Sequence, residues 1–196
     1  MPRTVFLAFG DSITAGYGVA RGFVPFLCAR ITQAYHALDL LPVNSGVSGD
    51  NSRDGLSRLD RDVLQYNPDL VTVNFGVNDA FSGISTDQFT QNLESMALKI
   101  RETGCCRIVF LSCEVIPEKW AEEQILPYWE GMKSAADASE CIYADVHGRW
   151  EKEIDEGRPE SDLIIPGDLH PNEEGHRLIA DAVFEAMQVS KILEDL

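Results

Sequence analysis

The sequence predicts an α/β protein built on a parallel sheet of five strands. Two observations carry this expectation. Apolar runs recur roughly 30 residues apart with segments of helical period between them, the signature of repeated βαβ units. Several of those runs are apolar on both faces, as strands covered by helices on either side must be.

Taken in order, the strands are expected at residues 4–9, 41–44, 70–75, 108–112 and 142–145. Between the second and third, Leu56, Leu59, Val63 and Leu64 fall on one helix face. Before the fourth, Phe89, Leu93, Met96, Ala97 and Ile100 do the same, with Ser85 and Gln88 spaced as a capping box at the start. The last helix opens with Pro171, a good first-turn residue, and carries Leu178, Ile179, Ala182, Val183, Ala186 and Met187 on one face. Residues 114–137, with Trp120, Pro127, Tyr128 and Trp129, are the least regular and read as a loop followed by a helix. No internal repeat, low-complexity segment or linker breaks the chain, so residues 1–196 read as one domain.

The totals narrow the function classes. A chain of 196 residues can enclose a sizeable core. Lys and Arg number 16 against 32 Asp and Glu, a net charge of −16, which repels nucleic acid and anionic lipid and favours neutral or cationic small molecules. No apolar run approaches the roughly 18 residues of a membrane span. The opening Met-Pro-Arg-Thr leads straight into the first strand and offers no secretory signal. The five cysteines (Cys28, Cys105, Cys106, Cys113 and Cys141) are odd in number and form no C-x-x-C pair, which fits reduced thiols in a cytoplasmic protein. His170 and His176 have no cysteine near them, so no metal site is expected.

Chemistry collects in four places. Gly10-Asp11-Ser12 ends the first strand and presents a serine that could act as a nucleophile, although Asp11 or Ser12 could equally cap the next helix. Thr14 stands where a G-x-S-x-G elbow would need glycine, and the spacing of Gly16, Gly18 and Gly22 fails a dinucleotide fingerprint. In Asn44-Ser45-Gly46-Val47-Ser48-Gly49-Asp50, small residues let the backbone turn, and the Gly49 N–H could donate to an oxyanion. In Phe75-Gly76-Val77-Asn78-Asp79, the Asn78 amide is a neutral donor of fixed geometry, or else part of an Asx-turn. In Gly167-Asp168-Leu169-His170-Pro171-Asn172, a histidine lies beside a carboxylate at the threshold of the last helix. Ser12, Gly49 and Asn78 each follow a strand closely, so a parallel sheet brings them to one edge, the carboxyl edge where ligands bind. A nucleophile, two oxyanion donors and a downstream base at one place is the set that serine acyl transfer needs.

These four ordered blocks resemble those of the GDSL family, also called SGNH hydrolases. The resemblance rests on Gly-Asp-Ser-Ile at 10–13, the Gly49 loop, Gly-Val-Asn-Asp at 76–79 and Asp-Leu-His-Pro at 168–171, and it spans nearly the whole chain. It is nearest to small members similar to thioesterase/lysophospholipase and arylesterase enzymes. The resemblance implies a flavodoxin-like three-layer α/β/α sandwich with a central five-stranded parallel sheet. It also implies esterase or lipase activity on a small-molecule ester, thioester or lysophospholipid, without a cofactor. By position, Ser12 becomes the nucleophile, His170 the base, and the Ser12 and Gly49 N–H groups with the Asn78 side chain the oxyanion hole.

One block departs from the family pattern. The usual D-x-x-H would place the acid at Gly167, whereas here it is Asp168, two residues before the histidine. Either Asp168 still reaches the imidazole, or the carbonyl of Gly167 or Pro166 orients it. Asp145-Val146-His147 is a rival D-x-H that lacks the following helix start. Asp11, Asp79, Ala80, Phe81, Glu114 and Trp120 are expected to line the substrate site, with the loop after the fourth strand (residues 114–117) on its rim. Trp120 or Trp129 would stack on a sugar if the enzyme removed acetyl groups from carbohydrate. A binding module that kept the fold but lost the chemistry is the alternative outside the enzyme class.

Overall fold

The computed structural model describes residues 3–105, 107–114, 116 and 118–194. Cys106 and Pro117 lie outside the described residues, as does the Met-Pro opening. All five expected strands form: β1 (Thr4–Gly10), β2 (Leu40–Gly46), β3 (Leu70–Asn74), β4 (Arg107–Leu111) and β5 (Ile142–Ala144). They pair in parallel in the order β2-β1-β3-β4-β5. β3 is buried along its whole length, which explains its unbroken Leu-Val-Thr-Val run. β2 lies at an edge and is largely accessible, so Pro42, which cannot donate to a ladder, is tolerated there.

The helices are α1 (Ser12–Ala15), α2 (Phe23–Ala34), α3 (Ser52–Asp62), α4 (Val77–Phe81), α5 (Thr86–Arg101), α6 (Lys119–Ala138), α7 (Val146–Asp155) and α8 (Glu173–Val189). Parallel crossovers are right-handed. The step from β1 to β2 runs opposite to the steps from β2 to β3, β3 to β4 and β4 to β5, so α2 lies on one face and α3, α5 and α6 on the other. α8 packs on α2, which completes the three layers. The core between them is built from Phe6, Phe9, Val71, Val73, Phe110 and their neighbours, all fully buried. Among the described residues, no helix is long and apolar enough to cross a membrane.

Several boundaries differ from the sequence reading. Val63 and Leu64 lie beyond α3, whose C-cap is Val63, because the chain tightens there into a 3₁₀ turn over Leu64–Tyr66. Ser85 caps α5 by accepting from Gln88 N, but the Gln88 side chain turns to Asn92 instead, so the box is one-sided. Pro171 lies before α8 rather than in its first turn. It sits in an antiparallel bridge with Ile164, and Asn172 caps the helix by accepting from the Glu174 and Gly175 N–H groups. Residues 119–138 form a helix through Pro127.

Candidate active site

Each chemical block occupies the carboxyl edge of the sheet, and each is held by local bonds. After β1, the Asp11 carboxylate accepts from the Ile13 N–H and caps α1, which leaves Ser12 as the first residue of that helix. Gly10 is required just before it: a Cβ there would lie 2.5 Å from the Asn74 carbonyl oxygen and closer still to the Thr14 hydroxyl.

β2 runs two residues further than expected, so Gly49 follows its end by three residues. The loop turns back with Gly49 at φ 86°, a left-handed conformation that glycine adopts without strain. Val47 N donates to the Gly10 carbonyl, 2.9 Å away. The same carbonyl accepts from Arg58 Nη2, also at 2.9 Å. Arg58 is buried over the Phe9 ring and pairs through Nε with Asp50 at 2.6 Å, while its Nη1 donates to the Ser45 carbonyl. One guanidinium thus ties the Gly49 loop to the end of β1. The sequence reading missed Arg58, since only the packing of α3 against β1 and β2 brings it there.

After β3, Gly76 takes φ 129° with the Trp129 ring behind it, and α4 begins at once. This puts Asn78 in a helical first turn and not in an Asx-turn. Its Nδ2 donates to the Asp50 carbonyl at 2.9 Å and to Asp11 Oδ2 at 3.3 Å. Asp79 faces inward. Its carboxylate accepts from both the N–H and the hydroxyl of Ser52, and Ser52 Oγ in turn accepts from Asn92. Asp79 therefore joins α4 to α3.

The last block is a closed loop. Ile165 N bonds to the His170 carbonyl and Asn172 N to the Leu163 carbonyl, while Gly167 turns with φ 78°. The turn delivers Asp168 Oδ1 to the N–H groups of Leu169 and His170 and, at 2.6 Å, to His170 Nδ1. His170 Nε2 lies 3.0 Å from Ser12 Oγ. The shortened D-x-H spacing thus still brings the carboxyl to the imidazole. The His170 bond holds the Asp168 carboxyl below the usual carboxylate range, so it is an acceptor, Nδ1 carries the proton, and Nε2 accepts from the Ser12 hydroxyl. The Tyr17 ring, half exposed, lies 4.5 Å from the imidazole, a contact no local pattern announces.

A cavity of about 190 Å³ opens over these groups. Asp11, Ser12, Asn78, Phe81, Glu114 and His170 line it, with Ile13, Val77, Ile116 and Leu169 as apolar wall. Among the residues expected to line the substrate site, Asp79 and Ala80 do not. Asp79 is fully buried against Ser52, and Ala80 is not in the wall, because α4 turns them away. Trp120 lies just outside the cavity. It is 60% exposed, packs edge-on to Phe81 and borders an outer groove with Asp168 and Leu169. Trp129 is buried beneath Gly76, out of reach of a sugar. His147 pairs with Glu122 and Glu151, not with Ser12. Burial raises Asp11 to about 7 and Glu114 to about 8.

A family model described as GDSL-like lipase/acylhydrolase matches residues 8–178. The chain belongs to that family. Among curated proteins, an esterase of Pseudomonas aeruginosa named TesA is 37% identical over 113 residues, which is 57% of this chain and 55% of that protein. An arylesterase of Vibrio mimicus is 32% identical over the same shares. The match thus spans about half the length of these two relatives. An acetylxylan esterase of Geobacillus stearothermophilus is 22% identical over 90% of each chain. Among solved structures, an alpha/beta hydrolase enzyme from the metagenome of Lake Arreo has a TM-score of 0.82 at 23% identity, covering 94% of this chain and 95% of its own. The Geobacillus acetylxylan esterase scores 0.80 at 23% identity over 94% of each. These likenesses establish a shared fold.

Proposed function

We propose that this protein hydrolyses carboxylic esters of short to medium acyl groups through a Ser12 acyl-enzyme. The observation that carries the reading is the continuous chain of contacts from Ser12 Oγ to His170 Nε2 and from His170 Nδ1 to Asp168 Oδ1. Ser12 Oγ attacks the ester carbonyl while His170 Nε2 takes its proton. Asp168 fixes the tautomer and stabilises the imidazolium. The oxyanion is received by the Ser12 and Gly49 N–H groups and the Asn78 amide. Both Asn78 protons already have partners, and the longer bond, to Asp11 at 3.3 Å, is the one exchanged for the oxyanion. His170 then protonates the leaving alcohol, and water, activated by the same imidazole, cleaves the acyl-enzyme. The 190 Å³ cavity with its apolar wall suits a short acyl group.

A second reading, removal of acetyl groups from carbohydrate, is favoured by one feature. The Phe81–Trp120 pair offers an exposed aromatic surface beside the cavity on which a sugar ring could stack. The test of the first reading is hydrolysis of p-nitrophenyl esters of increasing acyl length, beside labelling by a serine-reactive phosphonate. Wild type should turn over the short esters and be labelled, and Ser12→Ala should do neither. Unlabelled, inactive wild type would favour a binding module on the same fold. Faster release of acetate from acetylated xylooligosaccharide than from aryl acetate would favour the second reading.

A further inference from the structure

Glu114 lies three residues beyond β4, on the same sheet edge as Ser12, Asn78 and His170, and lines the cavity with them. It is only 1% exposed, and among the described residues no lysine or arginine lines that cavity. A buried carboxylate without a cation is too costly to persist, so the group stands as a carboxylic acid. Burial pushes it to about 8, and the like charges of Asp11 and Glu122 add to this. The Cys113 thiol donates to Oε2, which occupies an acceptor and leaves the acid's own O–H in need of one. The apolar wall of Ile13, Val77, Ile116 and Leu169 provides none, and among the described residues none of the polar groups lining the cavity, Asp11, Ser12, Asn78 and His170, is hydrogen-bonded to the Glu114 carboxyl. An acceptor on whatever fills the cavity would complete it.

We propose that Glu114 is a specificity-determining residue that donates a hydrogen bond to an oxygen on the acyl chain, so that the site prefers acyl groups bearing a hydroxyl or keto oxygen to plain alkyl ones. This rests on the ester hydrolase reading given above. A cationic acyl group would pair with Glu114 only once that acid had lost its proton to solvent. Discrimination follows from the site's own need: a plain alkyl chain leaves the buried O–H unpaired.

The test compares kcat/KM for ethyl butyrate, ethyl 2-hydroxybutyrate and ethyl 3-hydroxybutyrate. Wild type should favour at least one hydroxylated ester roughly tenfold over butyrate, the worth of one buried hydrogen bond. Glu114→Leu should abolish that ratio. Glu114→Gln keeps a donor and should retain it. The ratio cancels any pH dependence common to every ester. In wild type the ratio should fall above about pH 8, as the acid ionises among Cys113, Asp11 and Glu122, and in Glu114→Gln it should stay flat. That comparison stands even if the leucine variant does not fold. A wild-type ratio near one, a ratio unmoved by both substitutions, or a preference for ethyl 4-aminobutyrate would each overturn the assignment of Glu114. Failure of every ester together with absence of phosphonate labelling at Ser12 would instead bring down the hydrolase reading itself.

Discussion

The Asn78 amide nitrogen carries two protons, and in the free protein both are already given away, to Asp50 and Asp11. Removing the side chain would leave the Gly49 loop without its cross-link to α4 and the proposed oxyanion hole without one of its three donors. Asn78→Ala should slow turnover by roughly 10²–10³, the usual worth of one such donor; turnover within a few-fold of wild type would remove Asn78 from the oxyanion hole. Asp168 is read by a different measurement. If its carboxylate fixes the imidazole tautomer, Asp168→Ala should lower kcat by up to roughly 10⁴ with little change in KM. A small loss of kcat would return that role to a backbone carbonyl. Tyr17 covers one face of the same imidazole, which limits how the ring can tilt once the proton arrives.

At the scale of elements, the site is a meeting of four strand ends, and two buried polar groups hold them together. Asp79 binds α3 to α4 through Ser52, and Arg58 binds the Gly49 loop to the end of β1. Neither group faces the cavity. Arg58→Ala would leave Asp50 without its cation and strip the Gly10 and Ser45 carbonyls of a donor. The expected cost is about 3 kcal/mol, the low end for breaking a buried pair because Asp50 is partly accessible. For a chain of this size, a thermal melt should show that as a drop of roughly 6–12 °C. Turnover should fall as well, since the loop carrying Gly49 would loosen. An unchanged melting temperature would mean that the Val47 and Asn78 bonds hold the loop without the guanidinium.

The whole molecule stores its pH dependence in buried groups. Asp11 is raised to about 7 and Glu114 to about 8, both by desolvation, so the folded state holds protons that the unfolded chain has released. Stability therefore falls as pH rises, from the ordinary carboxylate range up to about 8. His176 works at the other end. Burial among apolar neighbours lowers it to about 4, so below pH 6.5 the unfolded chain takes a proton that the folded state refuses. Above pH 6.5 Asp11 and Glu114 act together with Asp79, raised by burial, and His147, raised against its burial by the Glu122 pair, all in one direction, so stability should decline by up to about 1.4 kcal/mol per pH unit for each acid, and the melting temperature with it. Glu114→Gln should flatten that decline, and an identical slope in the variant would show that Glu114 is already ionised in the folded state.

How much of this was legible in the sequence follows from the range of the interactions involved. Hydrophobic period and strand-end motifs are local, so the five parallel strands, the core faces of α5 and α8, and the four chemical blocks could be read from residue order. Backbone geometry corrected the edges: Pro171 went to a bridge before α8, and Gly49 came closer to its strand. The residues expected in the substrate wall divided for a tertiary reason. Phe81 and Glu114 point into the cavity, while Asp79 and Ala80, beside Asn78 in sequence, are turned away by the helix that carries all three. Sequence order alone set which strands exist and which chemical groups stand at their ends. Only the three-dimensional structure decided that Asp168 reaches His170, that Arg58 clamps the Gly49 loop and that Glu114 is a buried acid in the cavity. The first is settled by the closure of the loop over residues 163–172, a backbone geometry that the residue types do not announce, and the other two by contacts between segments far apart in the chain; burial, which sets a carboxyl's charge, belongs to the packed molecule and not to any stretch of it.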